Sequence, residues 1–298
     1  MATDFSVVIL TLDEEQNLPN CLSSLKDLDC EIVVVDSGSN DRTGEIARAA
    51  GARVVLHEFE TQAQQLNWAL DNLPLHGKWM LRLDADECLS AELAAELKQV
   101  LSATPPDVNG FYIKRRVYFL GRWIRHGGYY PIWLLRMWRK GTGRSEQRAV
   151  DEHIILNSGR AAFLQYDIEE HNRKDLSAWI DRQNRYSSRE VTAVLEGLNR
   201  EELVPSQKGG PAARRRWLKY NVYLRVPPFI RPFLYFGWRY FLLLGFLDGK
   251  EGFIFHFLHA CWRCFLIDAK LHEAARMSRA SRASERSDAD IRTKRVPR

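Results

Sequence analysis

The first hundred residues alternate short β-branched runs with helical patterns, and every run stops at a polar cluster. Phe5–Leu10 (FSVVIL), Glu31–Val35 (EIVVV), Arg53–Leu56 and Trp79–Leu83 read as strands buried on both faces, the pattern of a parallel sheet. Helical periodicity fills the gaps over Asn17–Leu25, Thr43–Ala50, Thr61–Leu73 and Ala91–Leu101, the last with Ser90 as its expected N-cap. Strand and helix in alternation predict an α/β layer fold with a mostly parallel central sheet. Ligands of such sheets bind outside the carboxyl ends of the strands. Thr11–Glu15, Asp36–Arg42 and Asp84–Glu87 all fall there.

Each of these clusters has a chemistry and a bland alternative. Asp84-Ala85-Asp86-Glu87 brings up to three hard oxygen donors to one strand end, which suits Mg²⁺ or Mn²⁺ held against a diphosphate. The alternative is an acidic turn before a helix whose N-terminal dipole favours carboxylates. Asp36-Ser37-Gly38-Ser39-Asn40-Asp41 offers a tight turn, hydroxyls and acids for a ribose or a base, or simply turn chemistry and an N-cap. Neither GxGxxG nor GxxxxGK[ST] follows a strand, so a Rossmann dinucleotide site and a P-loop are disfavoured.

Four blocks in order, VVILTLDEEQNL (7–18), EIVVVDSGSNDRT (31–43), QAQQLNWAL (62–70) and WMLRLDADE (79–87), resemble the family 2 glycosyltransferases with the GT-A nucleotide-sugar-binding fold. Among them the chain is most similar to the branch that builds lipopolysaccharide core or lipid-linked polysaccharide precursors. The resemblance covers about residues 5–190. It implies that Thr11, Leu12 and Glu14 line the nucleotide base, that Asp36 with Ser37 meets the base or ribose, and that Asp84 contacts the ribose and metal water. It also implies that Asp86 ligates a Mg²⁺ or Mn²⁺ ion. Gln65 and Asn67 match the place of a Gln-Lys-Asn element in the nucleotide-sugar site, although Gln64-Gln65-Leu66-Asn67 lacks the Lys. The donor implied is a nucleoside diphosphate sugar, UDP-sugar first, and the acceptor a lipid-linked or lipopolysaccharide saccharide.

Displacing a diphosphate from an anomeric carbon requires a group that takes the acceptor hydroxyl's proton. Val150-Asp151-Glu152-His153 matches the element that supplies this base in the resembling enzymes; Glu152 is the first choice, Asp151 the alternate, and a charged loop between strands the bland reading. Arg115, Arg116, Arg122, Arg125, Arg136, Arg139 and Arg148 interleave with Trp123, Tyr129, Tyr130, Trp133 and Trp138, which suits a saccharide and its pyrophosphate anchor or an ordinary strand surface. Gln183-Asn184-Arg185-Tyr186, in a helix expected over Asp175–Leu195, lacks the Trp of the QxxRW motif of processive synthases.

Charge divides the chain. Residues 1–205 carry 24 Lys and Arg against 31 Asp and Glu, whereas residues 206–298 carry 19 against 7, a net of +12. Sixteen of the 33 aromatic residues lie between Trp217 and Phe265. Basic charge beside rings suits an anionic membrane surface or a nucleic acid; no RNA-binding pattern accompanies it, and the acidic first part would repel phosphate, so no nucleic-acid partner is expected. Pro227, Pro228, Pro232 and Asp248-Gly249-Lys250 break the apolar stretch well short of the roughly 20 residues of a membrane span. The expected organisation is a catalytic domain over 1–205, amphipathic helices over 206–275 that meet a membrane or form a homo-oligomer, and a disordered tail over 276–298, with a linker at Gln207–Pro211. Cys261-Trp262-Arg263-Cys264 with His256 and His259 reads as helix packing rather than a zinc site. The Met1–Leu10 stretch has no basic n-region, so no cleaved signal peptide is expected, and five widely spaced Cys suit a reducing compartment. Together these imply a peripheral or monotopic enzyme at the cytoplasmic face of the inner membrane. A sugar nucleotidylyltransferase, the competing enzyme class, needs a Gly-rich basic loop after the first strand, where Thr11-Leu12-Asp13-Glu14-Glu15 is acidic.

Overall fold

The computed structural model describes residues 4–147, 152–196, 221 and 223–294, with side chains as far as Arg279. Strands β1 (Phe5–Thr11), β2 (Cys30–Asp36), β3 (Arg53–Leu56) and β4 (Trp79–Asp84) run parallel, and α1 (Leu18–Ser23), α2 (Thr43–Ala49) and α3 (Gln62–Asn72) connect them. All seven residues of β1 are buried because it lies between β2 and β4 with helices on both sides. Its side chains alternate between two cores: Val7 and Ile9 pack with α1 and α2, and Val8 and Leu10 with Leu66 and Ala69 of α3. The period of two in a strand enforces that division.

The strand order β3-β2-β1-β4 reverses direction between β1 and β4, a topological switch point that opens a crevice at the carboxyl ends. Register aligns those ends, pairing Thr11 with Asp36 and Leu10 with Asp84. Beyond β4 the sheet becomes mixed. After β5 (Glu87–Leu89) and α4 (Ala91–Ala103), capped by Ser90 as expected, come β6 (Val108–Phe119), the short β7 (Arg122–Trp123) and β8 (Ile132–Arg139). β8 inserts antiparallel between β4 and β6, and β11 (Arg160–His171) pairs parallel with β6 and antiparallel with β5. β9 (Gly143–Ser145) and β10 (Ile154–Leu156) form a separate ribbon. Helix α5 (Leu176–Leu195) starts on Asp175, whose carboxylate accepts from the Ala178 N–H at 2.8 Å.

The C-terminal segments are α6 (Arg231–Gly237), α7 (Gly249–His256) and α8 (Arg263–Lys294), with π-helical turns at Trp238–Leu242 and Phe257–Trp262. One expectation changes here. The stretch 276–294 continues α8 instead of forming a disordered tail, in keeping with the Ala, Arg and Glu that favour helix. The rings of the C-terminal stretch divide between two sides, for Phe255 joins Phe119, Tyr129 and Trp179 in a third core cluster against the sheet. The expected linker at Gln207–Pro211 lies outside the described residues.

A polar clasp holds these helices to the sheet. The Gly127 N–H donates to the Leu243 carbonyl (2.8 Å), Arg239 Nε donates to the Gly127 carbonyl (2.7 Å), and the Arg239 guanidinium lies 4.0 Å from the Tyr129 ring centre. Asp248 accepts from the His126 N–H at 2.8 Å, and the Tyr129 hydroxyl meets His259 Nδ1 at 2.5 Å. Gly127 has φ +66°, and a Cβ there would lie 2.1 Å from His256 Cε1, so only glycine admits the imidazole.

Burial, reinforced by Arg239 and only partly offset by Asp248, depresses the His256 pKa from 6.5 to about 4. The unfolded chain therefore takes up this proton first, and the stability of the neutral imidazole is complete above pH 6.5 and lost as pH falls towards 4. Denaturant unfolding at pH 7.5 and pH 5 is expected to differ by about 2 kcal/mol from this group, with His259, also depressed by burial, adding in the same sense. His256→Gln, which cannot titrate, should flatten the profile; an equally steep profile would remove His256 from the account.

Candidate active site

Asp36 ends β2 buried at 3% exposure, and its carboxylate is fully occupied. It accepts from Thr11 Oγ1 (2.8 Å), Ser39 Oγ (2.5 Å) and the N–H groups of Gly38 (3.1 Å) and Ser39 (2.9 Å). Gly38, at φ +89°, permits the turn that aims both N–H groups back at it. Asp36 thus shapes the floor of the crevice from below. Ser37 is carried to the surface, where its hydroxyl accepts from Gln65 Nε2 at 2.7 Å.

Thr11, Leu12, Glu14, Ser37 and Gln65 line one cleft of about 320 Å³. Glu14 accepts from Asn17 Nδ2 (2.7 Å) and Lys174 Nζ (2.8 Å); burial pushes its carboxyl above the usual Glu range and Lys174 moderates the shift. The opposite wall comes from Phe59, Gln62 and, on α5 and the segment before it, Asn172, Lys174, Ala178, Asp181, Arg182, Arg185, Tyr186 and Arg189. Of these α5 residues the sequence reading named only Arg185 and Tyr186, and not as binding groups. Their signal was the recurrence of Arg at 182, 185 and 189, three and four residues apart, which puts them on one helix face.

Asn67 is elsewhere. Both ends of its amide are spent on Ser145, donating to the carbonyl (2.8 Å) and accepting from the N–H (3.0 Å), at 5% exposure. It fastens α3 to the β9–β10 ribbon instead of lining the cleft. Glu152 is half-buried on the loop entering β10, beside His153, whose N–H and Nδ1 both meet Glu146 Oε1 (3.0 and 3.3 Å). Asp151 and Arg148 lie outside the described residues.

At the end of β4 the three carboxylates have separate environments. Glu87 is wholly buried; Arg136 Nη2 donates to it at 2.5 Å, and its other oxygen accepts from the Asp84 N–H at 3.0 Å. Burial, with Asp84 nearby, pushes the Glu87 carboxyl above its ordinary range although Arg136 and Arg115 oppose the shift. Burial acts the same way on Asp84, but there Arg136 (3.0 Å) and Arg82 (3.3 Å) outweigh it and hold the group well below the usual Asp range. Asp86 accepts from Arg182 Nη1 through Oδ2 alone, at 3.0 Å. Among the described residues no three His, Cys, Asp or Glu side chains gather into a metal cage. Mg²⁺ is usually held by one or two carboxylates with substrate phosphates completing the shell, and that mode fits Asp86 with Asp84 beside it.

The arginines expected to meet an acceptor are largely engaged within the protein. Arg115 pairs with Glu170 (3.0 Å), Arg116 with Asp167 (2.7 Å) and Glu169 (3.1 Å), and Arg139 Nε donates to the Val108 carbonyl (2.9 Å). Arg116 and Arg125 also stack on Trp123. These contacts build the β6–β8–β11 surface, as charged side chains on a mixed sheet commonly do.

A switch-point crevice with acids at the β4 end and a hydroxyl-rich loop after β2 defines the class. Residues 6–172 match the model of Glycosyl transferase family 2, and the chain belongs to that family. It is a glycosyltransferase with an α/β GT-A-like fold and C-terminal helices. It is similar to the lipopolysaccharide core biosynthesis glycosyltransferase LpsC of Rhizobium meliloti, 29% identical over 269 residues that cover 86% of this chain and 90% of that one. An uncharacterized glycosyltransferase of Rickettsia typhi is 32% identical over 102 residues, so the chain spans about a third of that relative (34% of each). Among solved structures, S. aureus TarS 1–349 aligns over 92% of this chain and 91% of its own, at 15% identity and a TM-score of 0.43.

Arg136 is the common partner of Glu87 and Asp84, and its removal leaves Glu87 only the longer ion pair with Arg115 (3.8 Å) and Asp84 only that with Arg82 (3.3 Å). Arg136→Met is expected to destabilise the protein by about 3–5 kcal/mol, the usual cost of breaking a buried pair from one side. Adding Glu87→Gln should recover part of the loss in urea unfolding; a double variant no more stable than the single one would deny the coupling.

Proposed function

We propose that this protein is an inverting, metal-dependent glycosyltransferase that moves a sugar from a nucleoside diphosphate donor, UDP-sugar first, to a lipopolysaccharide-core or lipid-linked saccharide. The observation that carries this reading is the single cleft lined by Thr11, Leu12, Glu14, Ser37 and Gln65 at the sheet edge where β4 ends in Asp84. The similarity to LpsC supports the acceptor class.

On this reading the nucleoside lies on Leu12 and Thr11, and Ser37 offers its hydroxyl to the ribose. Asp86 would hold a Mg²⁺ or Mn²⁺ ion, with Asp84 at the ribose and the metal water, and the ion would neutralise the leaving diphosphate. Glu152 takes the proton of the acceptor hydroxyl as its oxygen attacks the anomeric carbon from the face opposite the diphosphate, which inverts the configuration. Asn67 keeps the ribbon that leads to Glu152 in register with α3 through Ser145. Asp86→Ala should abolish the metal-dependent part of UDP affinity, measured by titration with and without Mn²⁺. Glu152→Gln should keep that affinity while transfer falls by about 10²–10⁴-fold; near-full turnover would reassign the base, with Asp151→Asn as the next variant.

The acceptor class calls for a membrane, and the C-terminal helices offer a surface for one. No helix among the described residues is long and apolar enough to cross a bilayer. Ile230, Phe233, Leu234, Phe241, Leu242 and Leu247 are nevertheless exposed by 49–73%, a density of apolar side chains that marks a docking surface. With a net charge of +12 over residues 206–298, the partner we propose is the anionic cytoplasmic leaflet. Flotation with anionic vesicles should carry the full-length protein, weaken with salt and leave a salt-resistant remainder; Phe241→Ser with Leu242→Ser should remove that remainder. A protein that stays monomeric and ignores vesicles at low salt would refute the membrane reading, and a detergent-sensitive dimer would make this face a homo-oligomer contact.

A further inference from the structure

Helix α5 presents to the cleft a cationic face for which the four family blocks provide no role. Arg182, Arg185, Tyr186 and Arg189 recur at three- and four-residue spacing and all line the cavity that holds Thr11, Leu12 and Ser37. Their charges are not equally satisfied. Arg182 is paired with Asp86, and nearby Lys174 with Glu14. Neither Arg185 nor Arg189 meets a carboxylate among the described residues. Arg189 instead lies over the rings of Phe59 (4.9 Å) and Tyr186 (5.9 Å), and Arg185 is exposed. Like charges one turn apart repel weakly, and an anion between them would remove that repulsion.

We propose that Arg185 and Arg189 bind the diphosphate of the donor, the guanidinium forks gripping its oxygens from the α5 side of the cleft. The inference rests on the nucleotide-sugar reading above and adds to it a phosphate site independent of the metal. Three features favour a phosphate ligand. Guanidinium forks match phosphate oxygens in bidentate geometry. The arginines of β6 and β8 that might have competed for this role are engaged by Glu170, Asp167, Glu87 and backbone carbonyls. The cavity of about 320 Å³ is continuous from Leu12 to Arg189, so one ligand reaches both.

The test is calorimetric titration of the full chain in EDTA, with UDP, uridine and farnesyl diphosphate as probes. The wild type should bind UDP more tightly than uridine without metal. Arg185→Gln and Arg189→Gln should each weaken UDP by about tenfold or more, as expected for charge-assisted bonds, while uridine affinity stays unchanged and Arg185→Lys recovers part of the loss. Log affinity for UDP should also fall less steeply with log salt in the variants. Unchanged UDP affinity in both variants, where the wild type binds it, overturns the inference and leaves the nucleotide reading intact. Loss of farnesyl diphosphate alone moves the site to the acceptor and overturns it equally. A wild type that binds no UDP, GDP, CDP or ADP, with or without Mn²⁺, overturns the donor reading itself. Circular dichroism melts of the variants check that α5 stays folded.

Discussion

The molecule is organised around charge buried at the carboxyl end of β4. A carboxylate as enclosed as Glu87 is unfavourable without a partner, and Arg136 reaches it from β8 while also holding Asp84. Arg115 from β6 bridges Glu87 and Glu170, and Arg182 from α5 takes Asp86. Four elements are therefore tied to one turn by ion pairs that tolerate little displacement. The antiparallel register of β8 on β4, with Met137 opposite Leu81, is what brings Arg136 towards the turn.

The same turn gives the crevice its polarity. Its acids lie next to a cleft lined by the arginines of α5, one of which, Arg182, pairs directly with Asp86. Asp36 and Asn67 act beneath and beside that space. One pins a loop through four hydrogen bonds and the other joins α3 to the ribbon before Glu152. Family 2 membership accounts for the architecture, whereas these contacts account for its rigidity.

The C-terminal helices are coupled to the sheet by few but specific contacts. Gly127 admits His256, Arg239 caps the Gly127 carbonyl while stacking on Tyr129, and Asp248 receives His126. Lys270 of α8 donates to the Asn184 carbonyl and to Ser187 and Ser188 of α5. The helix that walls the cleft is thus also the helix on which the C-terminal segment rests, so the apolar outer surface keeps a fixed relation to the cleft.

Much of this was legible in the residues. β-branched runs ending in polar clusters gave β1 to β4 and the edge at which Thr11, Glu14, Ser37 and Asp84 gather, because period and turn chemistry are local properties. Ser90 announced its helix, since an N-cap needs only the next turn. The family blocks gave the fold class for the same reason: they are short and in order. Partnership was not legible, because it depends on which strands become neighbours. Nothing in Asn67 pointed to Ser145, 78 positions away, nor in Arg136 to Glu87. Arg115, Arg116 and Arg139 read equally as binding groups or as strand surface until β6, β8 and β11 came together around their carboxylate and carbonyl partners. The aromatic C-terminal stretch likewise carried no record of which rings turn inward, because Phe255 and Phe253 differ only in which face of α7 meets the sheet. Local spacing fixes an element and its edge; only the packing of distant elements decides which charges are spent within the protein and which, like those of Arg185 and Arg189, remain for a ligand.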